Sequence, residues 1–136
     1  MASGIAGLLS VALRVGMTIG VYTNAVKGAS KDAQKLEREV EAFTFVLKQL
    51  GDFLQSKDAA HVVFEPTCVL LVATNSCEKE LSDLQKKLER HSKGDKTARL
   101  IHMLTWPFTD KENKDTIDTI HRWTQLYSLS LQTAGW

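Results

Sequence analysis

Near its N-terminus the chain reads Ile5-Ala6-Gly7-Leu8-Leu9-Ser10-Val11-Ala12-Leu13-Arg14-Val15-Gly16-Met17-Thr18-Ile19-Gly20-Val21-Tyr22. Wound into a helix, this segment is apolar on every side, and its one charged residue is Arg14. A helix that is apolar all round is buried in a bundle or lies in a membrane. Because every charge except Arg14 lies beyond residue 26, the environment of this segment determines both the fold and the function.

The sequence after this segment predicts amphipathic helices, because apolar residues recur at the heptad spacing of packed helices. We predict a second helix over 31–55 and a third over 65–92, with Pro66 in its first turn. Each carries six inward positions spaced 4, 3, 4, 3 and 4 residues apart: Leu36, Val40, Phe43, Leu47, Leu50 and Leu54 in one, and Leu70, Thr74, Cys77, Leu81, Leu84 and Leu88 in the other. Each helix should therefore bury one face.

Three further helices are predicted, over 4–27, 96–105 and 110–133. Ser30 or Asp32 can cap the second helix, and Thr109 or Asp110 the last, which follows the turn at Pro107. Its inward residues are Ile117, Ile120, Trp123, Leu126, Tyr127 and Leu131. We predict one all-α domain over 1–136, an antiparallel four-to-five-helix bundle with an apolar N-terminal helix. We expect that helix to be largely buried, because it offers a packing surface on all sides.

The composition favours a helical protein without catalytic chemistry. The net charge is +1, which does not favour nucleic acid as a partner. The four histidines and two cysteines lack metal-ligand spacing, and no phosphate-binding loop occurs. Cys77 lies on an apolar stripe, as a small buried side chain would. We therefore expect no enzyme, no cofactor and no metal site. Cys68 and Cys77 are too far apart on one helix to form a disulfide, which indicates reduced thiols and the cytosol.

The apolar N-terminus lacks the leading positive charge of a signal peptide. The free energy of inserting this segment into a membrane as a helix is close to zero. Its eight Leu, Ile and Val residues favour insertion by about 2.4–4.8 kcal/mol in total, and a central Arg opposes it by about 2.5–3.5 kcal/mol. We take these eight as a candidate membrane-active segment: Ile5, Leu8, Leu9, Val11, Leu13, Val15, Ile19 and Val21.

Ala12, Gly16 and Gly20 form a pattern of small residues one helical turn apart. Such a face lets helices approach closely, in a soluble bundle or in a membrane. The sequence leaves these two settings open.

The most basic stretch is 86–99, in which Glu89 and Asp95 are the only acids. Its cations are candidates for binding anionic lipid headgroups, each contributing about 1 kcal/mol near the surface. The alternative is that they complement the dipole at the end of the third helix and lie in solvent. These residues are Lys86, Lys87, Arg90, Lys93, Lys96 and Arg99.

Two blocks of sequence resemble a known family. One is the run Gly4-Ile-Ala-Gly-Leu-Leu-Ser-Val-Ala-Leu-Arg-Val-Gly16. The other is Leu104-Thr-Trp-Pro-Phe-Thr-Asp-Lys-Glu112, with a closing helix that ends Leu126-Tyr-Ser-Leu-Ser-Leu-Gln132. The chain resembles, over essentially its whole length, the fungal HeLo-like N-terminal domain of NOD-like (STAND) receptors and their small partner proteins. Similar domains are the HeLo domain of heterokaryon-incompatibility proteins and the four-helix domain of the necroptotic pseudokinase.

The resemblance implies regulated cell death. In that family the domain is cytoplasmic at rest, self-associates on activation, moves to the plasma membrane and permeabilises it, with anionic lipids as partners. The upstream partner would be a NOD-like receptor or an amyloid-forming motif. The chain ends at Trp136 with neither, so we expect it to be one domain of a longer protein. The alternative is a non-lytic interaction module of a STAND receptor that binds another helical bundle.

Overall fold

The computed structural model describes residues 2–25, 31–55, 67–92 and 106–133. They form four helices, α1 (Ala2–Ala25), α2 (Lys31–Gln55), α3 (Thr67–Ser92) and α4 (Asp110–Thr133). The predicted all-α bundle is confirmed, and α2 and α4 have the predicted bounds. Helix α1 begins two residues before the predicted start, and α3 ends at the predicted residue. Residues 26–27 of the predicted first helix and 65–66 of the predicted third helix lie outside the described residues. The predicted helix over 96–105 and the predicted cap Ser30 lie outside the described residues.

The helices form a ring in the order α1, α2, α4, α3. α1 packs against α2 and α3, and α2 packs against α4. Gly16 approaches Val40 while Gly20 approaches Glu37, so α1 and α2 are antiparallel. Helices that follow one another in sequence run in opposite directions. The packed pairs α1/α3 and α2/α4 are parallel.

The predicted stripes form the core. The side chains of Leu36, Val40, Phe43, Leu47 and Leu50 are at most 1% exposed, and Thr74, Cys77, Leu81, Leu84 and Leu88 are also buried. Ile120, Tyr127 and Leu131 of α4 are buried, and Ile117, Trp123 and Leu126 pack partly buried against the core. The side chains of Leu54 and Leu70 lie outside the described set. Periodicity therefore located the inward faces of three helices.

A polar contact joins α3 and α4 within the core. The hydroxyl oxygens of Thr74 and Tyr127 are 2.8 Å apart. Burial raises the pKa of the neighbouring Cys77 thiol to about 12, and burial also raises the pKa of Tyr127. Both groups are therefore neutral in the folded protein at physiological pH. We interpret the Thr74–Tyr127 bond as fixing the register of α3 against α4, because sliding either helix leaves a buried hydroxyl unpaired.

The start of α4 is fastened to the neighbouring helices. Thr109 and Glu112 form a capping box, in which each side chain accepts a hydrogen bond from the other residue's backbone N–H. Buried Asn113 donates its amide N–H to the backbone carbonyl of Asp32 in α2 and accepts one from the indole of Trp106. The Trp106 ring lies 5.0 Å from that of Tyr22 in α1. This cluster joins α1, α2 and α4 at one end of the bundle.

Candidate functional site

Helix α1 buries one face and exposes the other. Its inward stripe is spaced 3, 4, 3 and 4 residues apart, and each member is at most 1% exposed: Ile5, Leu8, Ala12, Val15 and Ile19. On the opposite side Leu13, Met17 and Val21 are 40%, 71% and 63% exposed. The expectation that the helix is largely buried and packs on all sides is wrong. Only α2 and α3 pack closely on α1 among the described helices, and together they cover one side of it.

The exposed side of α1 forms an apolar surface that we call the outer face, consisting of Ala6, Leu9, Ser10, Leu13, Arg14, Met17 and Val21. Leu13, Met17 and Val21 are four residues apart and so lie in one row. The first six of these residues line a shallow surface depression of about 420 Å³. Single exposed apolar residues are ordinary, whereas a contiguous apolar row marks a contact surface for a membrane or a protein.

The structure divides the candidate membrane-active segment. Four of its members are buried in the bundle: Ile5, Leu8, Val15 and Ile19. Leu9 and Val11 pack partly buried against the core, and Leu13 and Val21 are exposed. Met17, the most exposed large apolar side chain of the helix, is not among the eight. The accessible part of the segment is therefore one edge of a helix, and contact by the whole segment requires α1 to leave α2 and α3.

By length and composition, α1 is also able to cross a membrane. The span Gly4–Asn24 has 21 residues and a mean hydropathy of 1.7, and 28% of its most apolar window is buried. The core helix of a soluble protein, which is mostly buried, and a signal sequence near the N-terminus satisfy the same criteria. Arg14 is the exposed charged member of the outer face, so its charge remains in water while α1 packs in the bundle.

The small residues of α1 lie against the bundle. Ala12 is fully buried. A Cβ atom at Gly16 would lie 3.5 Å from Val40, and one at Gly20 would lie 3.3 Å from the Glu37 carboxylate. In this structure Gly16 and Gly20 permit the close approach of α2 to α1.

Two polar contacts hold the second half of α1. The Thr23 hydroxyl lies 2.9 Å from the Glu37 carboxylate of α2. The Gln85 amide of α3 donates to the Thr18 hydroxyl at 3.0 Å. Gln85 is 5% exposed, and its amide oxygen has no partner among the described residues. A neutral hydrogen bond such as Gln85–Thr18 contributes about 0.5–1.5 kcal/mol, and one to a carboxylate such as Thr23–Glu37 about 1.5–3 kcal/mol. Five fully buried side chains contribute more than this together, so α1 is held mainly by its apolar stripe.

The structure separates the candidate lipid-binding cations. Lys86 is exposed on α3. Lys87 forms an ion pair with Glu112 and lies 4.7 Å from the centre of the Phe108 ring. The side chain of Arg90 and the residues Lys93, Lys96 and Arg99 lie outside the described residues. The described part of the basic stretch therefore offers Lys86 as its exposed cation.

The described residues contain no group of three or more His, Cys, Asp or Glu side chains placed to hold a metal ion. His121, the one histidine whose side chain is described, contacts Glu39 across the α2–α4 interface at 2.9 Å. We take the outer face of α1 as the candidate functional site because of its exposed apolar row.

The chain has no match among protein-family models, curated proteins or solved structures. The functional argument therefore rests on the residues of this chain and on the surface they form.

Proposed function

We propose that this chain is a membrane-targeting cell-death execution domain of the HeLo-like type. At rest it is a cytoplasmic bundle. On activation by a NOD-like receptor or an amyloid-motif partner, it self-associates at the plasma membrane and permeabilises it. The observation that carries the proposal is the outer face of α1, an exposed apolar row on a helix that also has the composition of a membrane span.

The outer face is suited to weak initial contact with a bilayer. Fully burying one Met- or Val-sized side chain gives about 1.5–3 kcal/mol. Met17 and Val21 are 71% and 63% exposed, so moving their exposed parts out of water gives about 2–4 kcal/mol in total. An exposed Lys86 adds about 1 kcal/mol at an anionic surface. Together these contributions correspond to a dissociation constant in the roughly millimolar range. One copy therefore binds the membrane weakly, and several linked copies bind much more tightly.

Insertion of α1 requires a second step. On insertion, the inward stripe of α1 moves from the protein core into the lipid tails. The tails are about as apolar as the core, so this transfer contributes little free energy. The faces of α2 and α3 that α1 covers are then exposed to water, which costs about 25 cal/mol of free energy per Å² of apolar surface. Association of several copies would cover these faces. The energetics therefore couple insertion to self-association.

A helical partner protein is the second candidate for the outer face, in keeping with a non-lytic interaction module. The observation that favours it is the depression beside Ala6 and Ser10, because small residues between larger apolar ones receive the side chains of another helix.

The experiment compares two variants with the same chemical change. Met17→Asp alters the outer face, and Leu129→Asp alters α4 at a site that is 61% exposed. Aspartate within a membrane helix opposes insertion by about 2.5–3.5 kcal/mol. We expect dye leakage from anionic liposomes with the wild type and Leu129→Asp, and its loss with Met17→Asp. Circular dichroism verifies that both variants fold. No leakage and no vesicle binding by the wild type, even when artificially oligomerised, would favour the interaction module.

A further inference from the structure

The outer face of α1 changes in size along the helix. Towards the N-terminus it presents Ala6 and Ser10, both exposed. Further along it presents Leu13 and Met17, which are 40% and 71% exposed. These four residues are spaced 4, 3 and 4 residues apart, which is the spacing with which one helix packs along another. The outer face therefore offers a second helix a hollow followed by a ridge.

A helix with the same gradient of size, running in the opposite direction, fits this surface. In an antiparallel pair of α1 helices centred between Ser10 and Leu13, Met17 of one copy faces Ala6 of the other, and Leu13 faces Ser10. Large side chains then fill the space beside small ones in both halves of the contact, as close packing requires. In a parallel pair, Met17 would face Met17 and Ala6 would face Ala6, which leaves a gap at the N-terminal half and loses contacts there.

One edge of the outer face carries two opposite charges. The Glu78 carboxylate of α3 lies over Gly7, where a Cβ atom on that glycine would be 3.6 Å from it. Arg14 follows Gly7 by seven residues and so lies on nearly the same side of α1. Neither Arg14 nor Glu78 has an ion-pair partner among the described residues. The edge of the outer face beside α3 thus presents a cation and an anion to whatever covers it.

The register that matches the side-chain sizes also matches these charges. In an antiparallel pair related by a two-fold axis, the α3 edges of both copies lie on the same side of the contact. Arg14 then faces residue 9 of the other copy, which is two residues, or about 3 Å along the axis, from Gly7 and the Glu78 carboxylate above it. Each Arg14 therefore approaches Glu78 of the other copy, and the symmetry forms this ion pair twice.

We propose that the outer face of α1 binds a second copy of this chain in an antiparallel pair with two-fold symmetry. The outer face and Glu78 supply eight residues of each copy, against about 20–30 residues a side in a stable interface. The pair is therefore weak and transient. The chain should be monomeric in dilute solution and should pair where copies are concentrated.

Pairing excludes lipid contact, and in this respect the inference rests on the proposed function. Both contacts use Leu13 and Met17, so a paired copy has no outer face left for a bilayer. Assembly at a membrane then joins copies through other surfaces, such as the faces of α2 and α3 that α1 covers.

Disulfide trapping tests the pair in the full chain, with Cys68→Ser as the background. A mixture of Ala6→Cys and Met17→Cys proteins should form a mixed crosslinked dimer. Met17→Cys alone should not crosslink, because the two copies of position 17 lie about 16 Å apart along the axis, beyond the reach of a disulfide. A mixture of Ala6→Cys with Leu129→Cys, at a site on α4 that is 61% exposed, is the matched control. A mixed yield no higher than this control, or a higher yield from Met17→Cys alone, overturns the proposal.

Charge reversal tests the register of the pair. Arg14→Glu and Glu78→Arg should each raise the dissociation constant measured by sedimentation equilibrium, by roughly 2- to 30-fold for two surface ion pairs. The chain that carries both changes should recover the wild-type value. The matched change Glu80→Arg, on the side of α3 that faces α4, should have little effect, and circular dichroism verifies that all variants fold. No recovery in the double variant, or an equal effect of Glu80→Arg, overturns the charge pairing.

Vesicles test the exclusion of lipid separately. Anionic vesicles added to the mixture of Ala6→Cys and Met17→Cys proteins should lower the crosslink yield more than neutral vesicles do. An unchanged yield while the protein is bound to the vesicles overturns the exclusion. The expected crosslink together with no vesicle binding contradicts the proposed function, while the pair stands.

Discussion

Two alanine substitutions on opposite sides of α1 measure how the helix is divided between core and surface. Leu8 is fully buried and Met17 is 71% exposed. Removing a buried leucine side chain costs about 2.7–5 kcal/mol of unfolding free energy, because apolar contacts are lost and a cavity remains. Met17→Ala loses only the covered third of the side chain and gains slightly in helix propensity. We expect its effect to lie within about 0.5 kcal/mol.

Urea denaturation followed by far-ultraviolet circular dichroism measures this difference. With an m-value of about 1.5 kcal/mol/M, a loss of about 3 kcal/mol lowers the midpoint by roughly 2 M. Met17→Ala should leave the midpoint almost unchanged. If both substitutions cost several kcal/mol, the outer face is packed against protein in the resting state. If neither does, α1 is not part of the folded core. Either result would refute the division of α1 into two faces.

Three other outcomes follow from the packing and the charges. Leu47→Ala on α2 should cost about 2–5 kcal/mol in the same assay, whereas Lys35→Ala on its exposed side should have little effect. The Lys87 ammonium and the Thr109 cap lower the pKa of Glu112, so its carboxylate stabilises the fold above its unfolded pKa of about 4.3. The stabilising effect is lost as the pH falls through the lowered pKa, so in thermal melts Glu112→Gln should be less stable than wild type at neutral pH and equal to it in strong acid. In a Cys68→Ser background, Cys77 should resist alkylation until denaturant is added, because it is buried and its pKa is raised to about 12; rapid labelling of the native protein would contradict its place in the core.

The sequence predicted the inward faces of α2, α3 and α4 because their apolar residues recur every three or four positions and polar residues occupy the opposite side of each helix. Leu47 and Glu41 differ enough in polarity to show which side is buried. Helix α1 lacks that contrast, since Leu8, which is buried, and Leu13, which is exposed, are chemically identical. The regular stripe from Ile5 to Ile19 was available as a signal, but the apolar residues between its members obscured it.

Buried polar residues were the second feature that patterning missed. Asn113 is 1% exposed and Gln85 is 5% exposed, yet on sequence alone both belong to polar faces. Their burial depends on partners far along the chain, Asp32 for Asn113 and Thr18 for Gln85. Helical periodicity carries no information about such distant pairs. The groove between α3 and α4, lined by Leu81, Leu84, Ile120 and Trp123, escaped prediction for the same reason, because its walls come from two helices that are separated in sequence.

The proposed function depends most directly on the outer face of α1 contacting lipid. An environment-sensitive fluorophore attached to Met17→Cys reports this contact, with Leu129→Cys as the matched site and Cys68→Ser as the background. On addition of anionic vesicles, we expect the fluorophore at position 17 to shift to shorter wavelength and brighten, and the one at position 129 to remain unchanged. An unchanged spectrum at position 17 while the protein binds the vesicles would contradict the account.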